Sequence, residues 1–214
     1  MTGDPGERLA EAIRELTGRI ATTTAPDAAL AAAEAAVRGA IDRLDAEGSE
    51  RTVVYRMQEA RADPLTYRRL SPVSGVLNPI AAPVHYLSVG DGIVEATVTF
   101  GLAYEGPPGY VHGAFIAGAF DDVLGAANVA GGSPGMTVKL EVRYRRPTPL
   151  RTPLRIVARH TGREGRRIFA QSTMLAGDEV TAEADGVFAE ITMDRARKLF
   201  GFDPPGEGAD EAAL

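Results

Sequence analysis

Apolar residues recur over the first fifty positions at the spacing of a helix face. Leu9, Ile13, Leu16 and Ile20 are separated by four, three and four residues, which puts them on one side of a helix. Asp4 can cap this helix, Pro5 suits its first position, and Glu7 supplies acid to the first turn. Thr22-Thr23-Thr24-Ala25-Pro26 interrupts the pattern. A second helix is predicted from about Pro26 to Glu47, with Leu30, Val37, Ile41 and Leu44 on one side and Gly48 as its stop. An amphipathic face ordinarily docks on its own core, so both helices are expected to pack as structural elements. A partner surface is the alternative.

From Arg51 to Pro83 the pattern is irregular. Ser71-Pro72-Val73-Ser74-Gly75 and Asn78-Pro79 are turn formers, and each proline pushes its predecessor out of the helical region. This stretch reads as a connector lying over the surface. After Pro83 the period changes to two. Val84–Val89 and Ile93–Phe100 flank Gly90-Asp91-Gly92, a hairpin signal. Val94, Ala96, Val98 and Phe100 alternate with Glu95, Thr97 and Thr99, giving one buried and one wet face.

A Gly/Pro loop, Glu105-Gly106-Pro107-Pro108-Gly109, leads to an apolar helix from about Gly113 to Ala130. Four further strands are predicted at Met136–Arg146, Leu154–Gly162, Arg166–Leu175 and Val180–Thr192, then a short helix at Asp194–Phe200 and an acidic tail. The helix is apolar nearly all round, so protein must surround it. One strongly curved antiparallel sheet wrapped around a single helix satisfies that demand. The predicted class is α+β, a hotdog fold over 84–192, with 1–83 as a helical extension and connector and 193–214 as the tail.

Composition narrows the chemistry. The 214 residues include no cysteine and three histidines, and 23 Lys+Arg stand against 29 Asp+Glu for a net charge of −6. Disulfides, zinc ribbons and a thiol nucleophile are excluded, and His85, His112 and His160 are too scattered to suggest a metal site. No apolar run approaches the ~18 residues of a membrane span. The acidic start lacks the apolar region of a secretory signal, so the expected address is the cytoplasm. Net negative charge argues against nucleic acid as the main partner.

The apolar helix carries the least expected residues. Asp121-Asp122 sits between Ala119-Phe120 and Val123-Leu124, where an unpaired carboxylate is costly. One of them facing solvent is the plain reading; a carboxylate tuned by an apolar cleft is the functional one. At the helix start, Val111-His112-Gly113-Ala114 offers backbone N–H groups at the positive end of the helix dipole, a place for a developing oxyanion. Taken alone, His112 reads more readily as a capping or packing residue. His112 and Asp121 are nine residues apart, so they stand ~13 Å apart on nearly opposite faces of one helix. They can serve one reacting centre only if two copies of the helix run antiparallel across a two-fold axis.

Gly131-Gly132-Ser133-Pro134-Gly135 matches G-x-S-x-G, but Pro134 has no N–H to donate and the helix-to-strand context is reversed. It is read as a loop. Lys139 to Arg167 holds ten of the 23 basic residues and only Glu141 and Glu164 as acids. That island fits an anionic ligand or a solvated strand face equally. Arg145 and Arg146, at a strand end, are the candidate ligand contacts. His85 and His160 are read as structural.

The segment Tyr110-Val111-His112-Gly113-Ala114-Phe115-Ile116-Ala117-Gly118-Ala119-Phe120-Asp121 resembles the H-G-G-x-x-x-x-x-x-D stretch of the PaaI-like hotdog acyl-CoA thioesterases. Thr137-Val138-Lys139-Leu140-Glu141-Val142-Arg143-Tyr144 with Pro147 is similar to that family's next strand. The resemblance covers about Val84 to Thr192. It implies hydrolysis of an acyl-CoA thioester by a homodimer or dimer of dimers, with no cofactor because CoA is part of the substrate. By the same resemblance Asp121 is the base or nucleophile, the Gly113 N–H is the oxyanion donor, and His112 orients the thioester or the turn. Thr137 holds the nucleophilic water from the partner subunit. Its parity with Lys139 places it on the outward strand face, which makes sense only if that face meets another copy. Ala114, Asp122, Arg145 and Arg146 are the implied substrate contacts.

Two departures from the family pattern stand out. Ala114 replaces the second glycine of H-G-G, and Gly106 occupies a loop position where some members place an asparagine that polarises the carbonyl. A non-hydrolytic acyl-CoA-binding or regulatory protein is therefore the alternative reading. A hydratase on the same fold would pair His with an acid at a different spacing.

Overall fold

The computed structural model describes residues 4–48 and 68–191. The short helix expected at Asp194–Phe200, the tail and the connector before Arg68 lie outside the described residues. Helix α1 spans Pro5–Thr22 and α2 spans Asp27–Glu47. Strands β1 (His85–Gly90) and β2 (Ile93–Val98) precede a single 3-10 turn at Leu102–Tyr104. Helix α3 follows at Gly113–Ala130, then β3 (Gly135–Tyr144), β4 (Leu154–Glu164), β5 (Arg167–Ala176) and β6 (Glu179–Glu190).

The six strands form one sheet in the order β1-β2-β4-β5-β6-β3, with the β3–β6, β4–β5 and β5–β6 pairs antiparallel. The β1–β2 turn places Asp91 and Gly92 at φ 51° and 72°, the left-handed pair that suits the twist of a two-residue hairpin. As the alternation demands, Val94, Ala96, Val98 and Phe100 are all fully buried.

Two packing units emerge, and neither is a continuous stretch of chain. Among the described residues, one gathers 4–48, 68–85, 98–118 and 148–153; the other gathers 86–97, 119–147 and 154–191. In the second unit the sheet packs on the later part of α3. Phe120, Val123, Leu124 and Ala127 are buried there with Ile156, Ile168, Met174 and Phe188 from the strands. Gly186 is part of this fit, because a Cβ there would come within 2.6 Å of Phe188 and 3.1 Å of Leu124.

The first unit corrects an expectation. Most of the apolar stripe of α1 does not dock: Leu9, Ile13 and Ile20 are exposed, Ile20 by 63%, and Leu16 is half-buried. The helix packs instead against the 3-10 turn, burying Ala10 and holding the Arg14 side chain at 10% exposure. Two carbonyls of the connector, Asn78 at 3.0 Å and Val76 at 3.2 Å, accept from the Arg14 guanidinium. Arg69 bonds Asp4 and Glu7, and Asp4 caps the helix by accepting from the Gly6 N–H. Helix α2 buries no residue, and its Leu30, Val37, Ile41 and Leu44 stripe is exposed. Polar anchoring through Arg14 and Arg69, rather than apolar burial, therefore selects the docked face of α1. The connector also reaches α3: Val73 lies against Gly118, where a Cβ would meet it at 2.9 Å.

Candidate active site

Helix α3 begins where two short segments brace each other. The Val111 N–H donates to the Thr148 carbonyl, the Leu150 N–H to that of Gly109, and Tyr110 bridges Pro149. His112 then donates its backbone N–H to the Tyr104 carbonyl at 2.9 Å. Its ring turns back on the helix, where Nδ1 accepts from the Ala114 N–H at 3.1 Å. That bond is an N-terminal cap made by an imidazole. It requires a lone pair on Nδ1, so the neutral ring carries its proton on Nε2. His112 thus caps the helix, and its ring engages the N–H of Ala114, the residue that the family resemblance gave as a substrate contact. Gly113 opens the helix beside them.

Tyr104 supports this turn from beneath. Its ring meets Phe115 edge-on at 4.9 Å and Phe100 at 5.8 Å. Burial pushes its phenol up to about 12, with Arg14 pulling it down and Glu11 pushing it up. Gly106 backs onto His112 so closely that a Cβ there would stand 2.8 Å from the His112 Cα. An asparagine at 106 is therefore incompatible with this position of His112. Sequence reasoning saw the missing asparagine but not its cause, since nothing in the loop's composition shows what it packs against.

Farther along α3, Asp121 and Asp122 are both half-buried. Asp121 Oδ1 accepts from the Thr137 hydroxyl at 2.7 Å. The two residues belong to the same chain, and Thr137 faces the helix rather than the outward side. The physical reason is a register shift between Thr137 and Lys139 opposite β6. Val138 is the extra residue, and a bulge of this kind resets the alternation. Thr137 stands opposite the buried Phe188, while Lys139, Glu141 and Arg143 keep the outward face. Strict period two predicted the opposite, and no residue in Met136–Leu140 signals the bulge.

Six of the ten basic residues of the island form ion pairs among the described residues. Arg143 bonds Asp185, Arg145 bonds Glu183 at 2.6 Å, Arg155 bonds Glu95 and Arg163 bonds Glu190, with Lys139 on Glu141 and Arg146 within 3.6 Å of Glu179. Arg145 and Arg146 accordingly face carboxylates on β6. Sequence counting missed Asp185 and Glu183 because they lie about forty residues downstream of Arg143 and Arg145, brought alongside by strand pairing. His160 packs as expected: its Nδ1 and Asn128 Oδ1 are 3.0 Å apart, and its ring lies over Gly131. The Gly131–Gly135 stretch is a turn into β3, not a nucleophile elbow. His85 is exposed.

Known proteins share this fold. The thioesterase superfamily profile matches residues 108–184, from the loop before α3 into β6. The crystal structure of protein RHA08564, a thioesterase superfamily protein, superposes with a TM-score of 0.77 at 32% identity, covering 87% of this chain and 96% of that one. The chain belongs to the thioesterase superfamily. Coverage of that extent also takes in much of the N-terminal extension, which residues 84–192 alone could not supply. Among curated relatives, the acyl-coenzyme A thioesterase THEM4 of Mus musculus is 31% identical over 99 residues, 46% of this chain and 43% of the relative. That of Xenopus laevis is 34% identical over 89 residues, 41% of this chain and 40% of the relative. The matched stretch is thus less than half the length of those curated relatives. As a superfamily member the chain has the hotdog fold that its apolar helix required. No helix among the described residues is long and apolar enough to cross a membrane.

Proposed function

We propose that this superfamily member hydrolyses an acyl-CoA thioester to the free acid and CoA. One observation carries the reading: a half-buried carboxylate, Asp121, held on the central helix by the Thr137 hydroxyl. With Oδ1 engaged, the second oxygen takes a proton from water as the water oxygen attacks the thioester carbonyl carbon. The tetrahedral oxyanion is met by the Gly113 N–H at the positive end of α3, and the Nε2–H of His112 is a second donor at the same turn. Collapse breaks the carbon–sulfur bond, and the proton held by Asp121 returns to the leaving thiolate. Direct attack by Asp121, forming an anhydride that water then opens, uses the same carboxylate.

Within one helix the donors and Asp121 stand ~13 Å apart, so the complete centre combines Asp121 of one copy with the α3 start of another. Strand β3 offers the joining edge. It ends the sheet order, and its Met136, Val138 and Tyr144 are exposed, Val138 by 67%. A free edge with apolar side chains is a template for pairing with a second chain. We assign the enzyme to the cytoplasm as a homodimer or dimer of dimers.

A panel of acyl-CoA thioesters, short, long and aryl, assayed on wild type and on Asp121→Asn tests the reading. Turnover of at least one thioester, lost in a folded Asp121→Asn, is expected. Hydrolysis unchanged by that substitution would overturn it. Binding without turnover across the whole panel would select the non-hydrolytic acyl-CoA-binding alternative, which the absent side chain at Gly106 favours.

A further inference from the structure

Arg151 combines two features within the basic island. Arg143, Arg145, Arg146, Arg155 and Arg163 each face a carboxylate, whereas Arg151, like Arg159, Arg166 and Arg167, is exposed with no carboxylate within 4.0 Å among the described residues; of these four only Arg151 adjoins the turn that opens α3. Its backbone is also held at φ 54°, a left-handed conformation that glycine adopts freely and a β-carbon resists. Asp91 is the other non-glycine there among the described residues, inside an ordinary hairpin turn; Arg151 is in the bend after Pro149-Leu150. Its N–H donates to the Phe100 carbonyl at 2.8 Å, which locks the bend.

The position matters as much as the strain. Residues 148–150 run antiparallel to 109–111, with Val111 bonded to Thr148 and Leu150 to Gly109. Arg151 therefore follows this short ladder at one end, and His112 and Gly113 leave it at the other. Three residues of extended chain separate the two ends by ~10 Å, less than the length of an extended pantetheine arm. A thioester at the start of α3 thus brings its phosphates within reach of a long cationic side chain. Arginine is the residue whose planar fork matches phosphate oxygens.

We propose that Arg151 is a phosphate-contacting residue for the pantetheine-borne substrate. The assignment rests on the thioesterase reading and shifts phosphate binding away from Arg145 and Arg146. The shared chemistry is a phosphate ester, presented either by CoA or by the 4′-phosphopantetheine of a carrier protein.

Calorimetric titration tests this without needing turnover. Wild type, Arg151→Gly and Arg151→Gln are titrated with CoA, 4′-phosphopantetheine and pantetheine. Loss of one charge-assisted contact is expected to weaken CoA binding about ten-fold in both variants and leave pantetheine unchanged. Arg151→Gly is expected to melt no lower than wild type, because glycine relaxes the backbone, so the loss is not unfolding. Weakening of CoA alone identifies the nucleotide phosphates. Equal weakening of 4′-phosphopantetheine identifies the phosphate that carriers share. Unchanged CoA affinity, or equal weakening of pantetheine, overturns the assignment while leaving the thioesterase reading intact. A wild-type protein that binds none of the three overturns both.

Discussion

The Thr137 hydroxyl donates to Asp121 Oδ1 across 2.7 Å within one chain. A single inserted residue, Val138, brings the two together by turning Thr137 toward the helix. The bond engages one carboxylate oxygen, Oδ1.

Thr137→Val removes this donor while keeping the branched shape. A hydrogen bond to a charged group contributes roughly 1.5–3 kcal/mol, so kcat for acyl-CoA hydrolysis is expected to fall about 10- to 100-fold. Thr137→Ser is expected to retain most of the activity. Steady-state kinetics on the two variants with one acyl-CoA substrate is the measurement, and equal rates would dismiss the role of the hydroxyl.

Gly106 and His112 are in contact, so Gly106→Ala forces a Cβ to within 2.8 Å of the His112 Cα. Overpacking of this kind is expected to cost about 1–3 kcal/mol in chemical denaturation. It should also lower kcat by displacing the helix start. Wild-type stability in Gly106→Ala would show that the loop gives way without cost.

Tyr104 connects this turn to alkaline stability. Its folded phenol is raised to about 12 by burial from an ordinary value of 10.0. Between these values the native state keeps a proton that the unfolded chain has lost, so stability is fully present below pH ~10 and declines as pH rises toward ~12. Tyr104→Phe is expected to remove that contribution to the decline. Melting temperatures of both proteins between pH 8 and pH 12 provide the comparison.

Arg14 anchors α1 through two backbone carbonyls. Arg14→Ala leaves both without this donor and is expected to destabilise the chain by about 1.5–3 kcal/mol in urea. Arg14→Lys lacks the second arm of the fork and should recover only part of the loss.

The exposed β3 edge predicts association. Val138→Lys puts a charge on the bulge of that edge and is expected to yield monomers in sedimentation experiments, and the proposed two-copy centre predicts that activity is lost with the dimer. A fully active monomer would contradict the two-copy centre.

Local grammar alone determined the α+β class, the hairpin at Gly90-Asp91-Gly92, the buried alternation of Val94 to Phe100 and the apolar α3. Each follows from spacing within one element, which chain geometry dictates before any packing occurs. The unusual acids at Asp121-Asp122 and the helix start at His112-Gly113 were visible for the same reason. Contacts between distant segments were decided by the tertiary structure. Only strand pairing brings Asp185 to Arg143 of β3 and Glu183 to Arg145 just beyond it. Only the bulge turns Thr137 toward Asp121, and only the backbone carbonyls of the connector select the Arg14 face of α1 over its apolar stripe. Period and composition describe a residue's neighbours along the chain; a hydrogen bond to a carbonyl sixty residues away has no signature there.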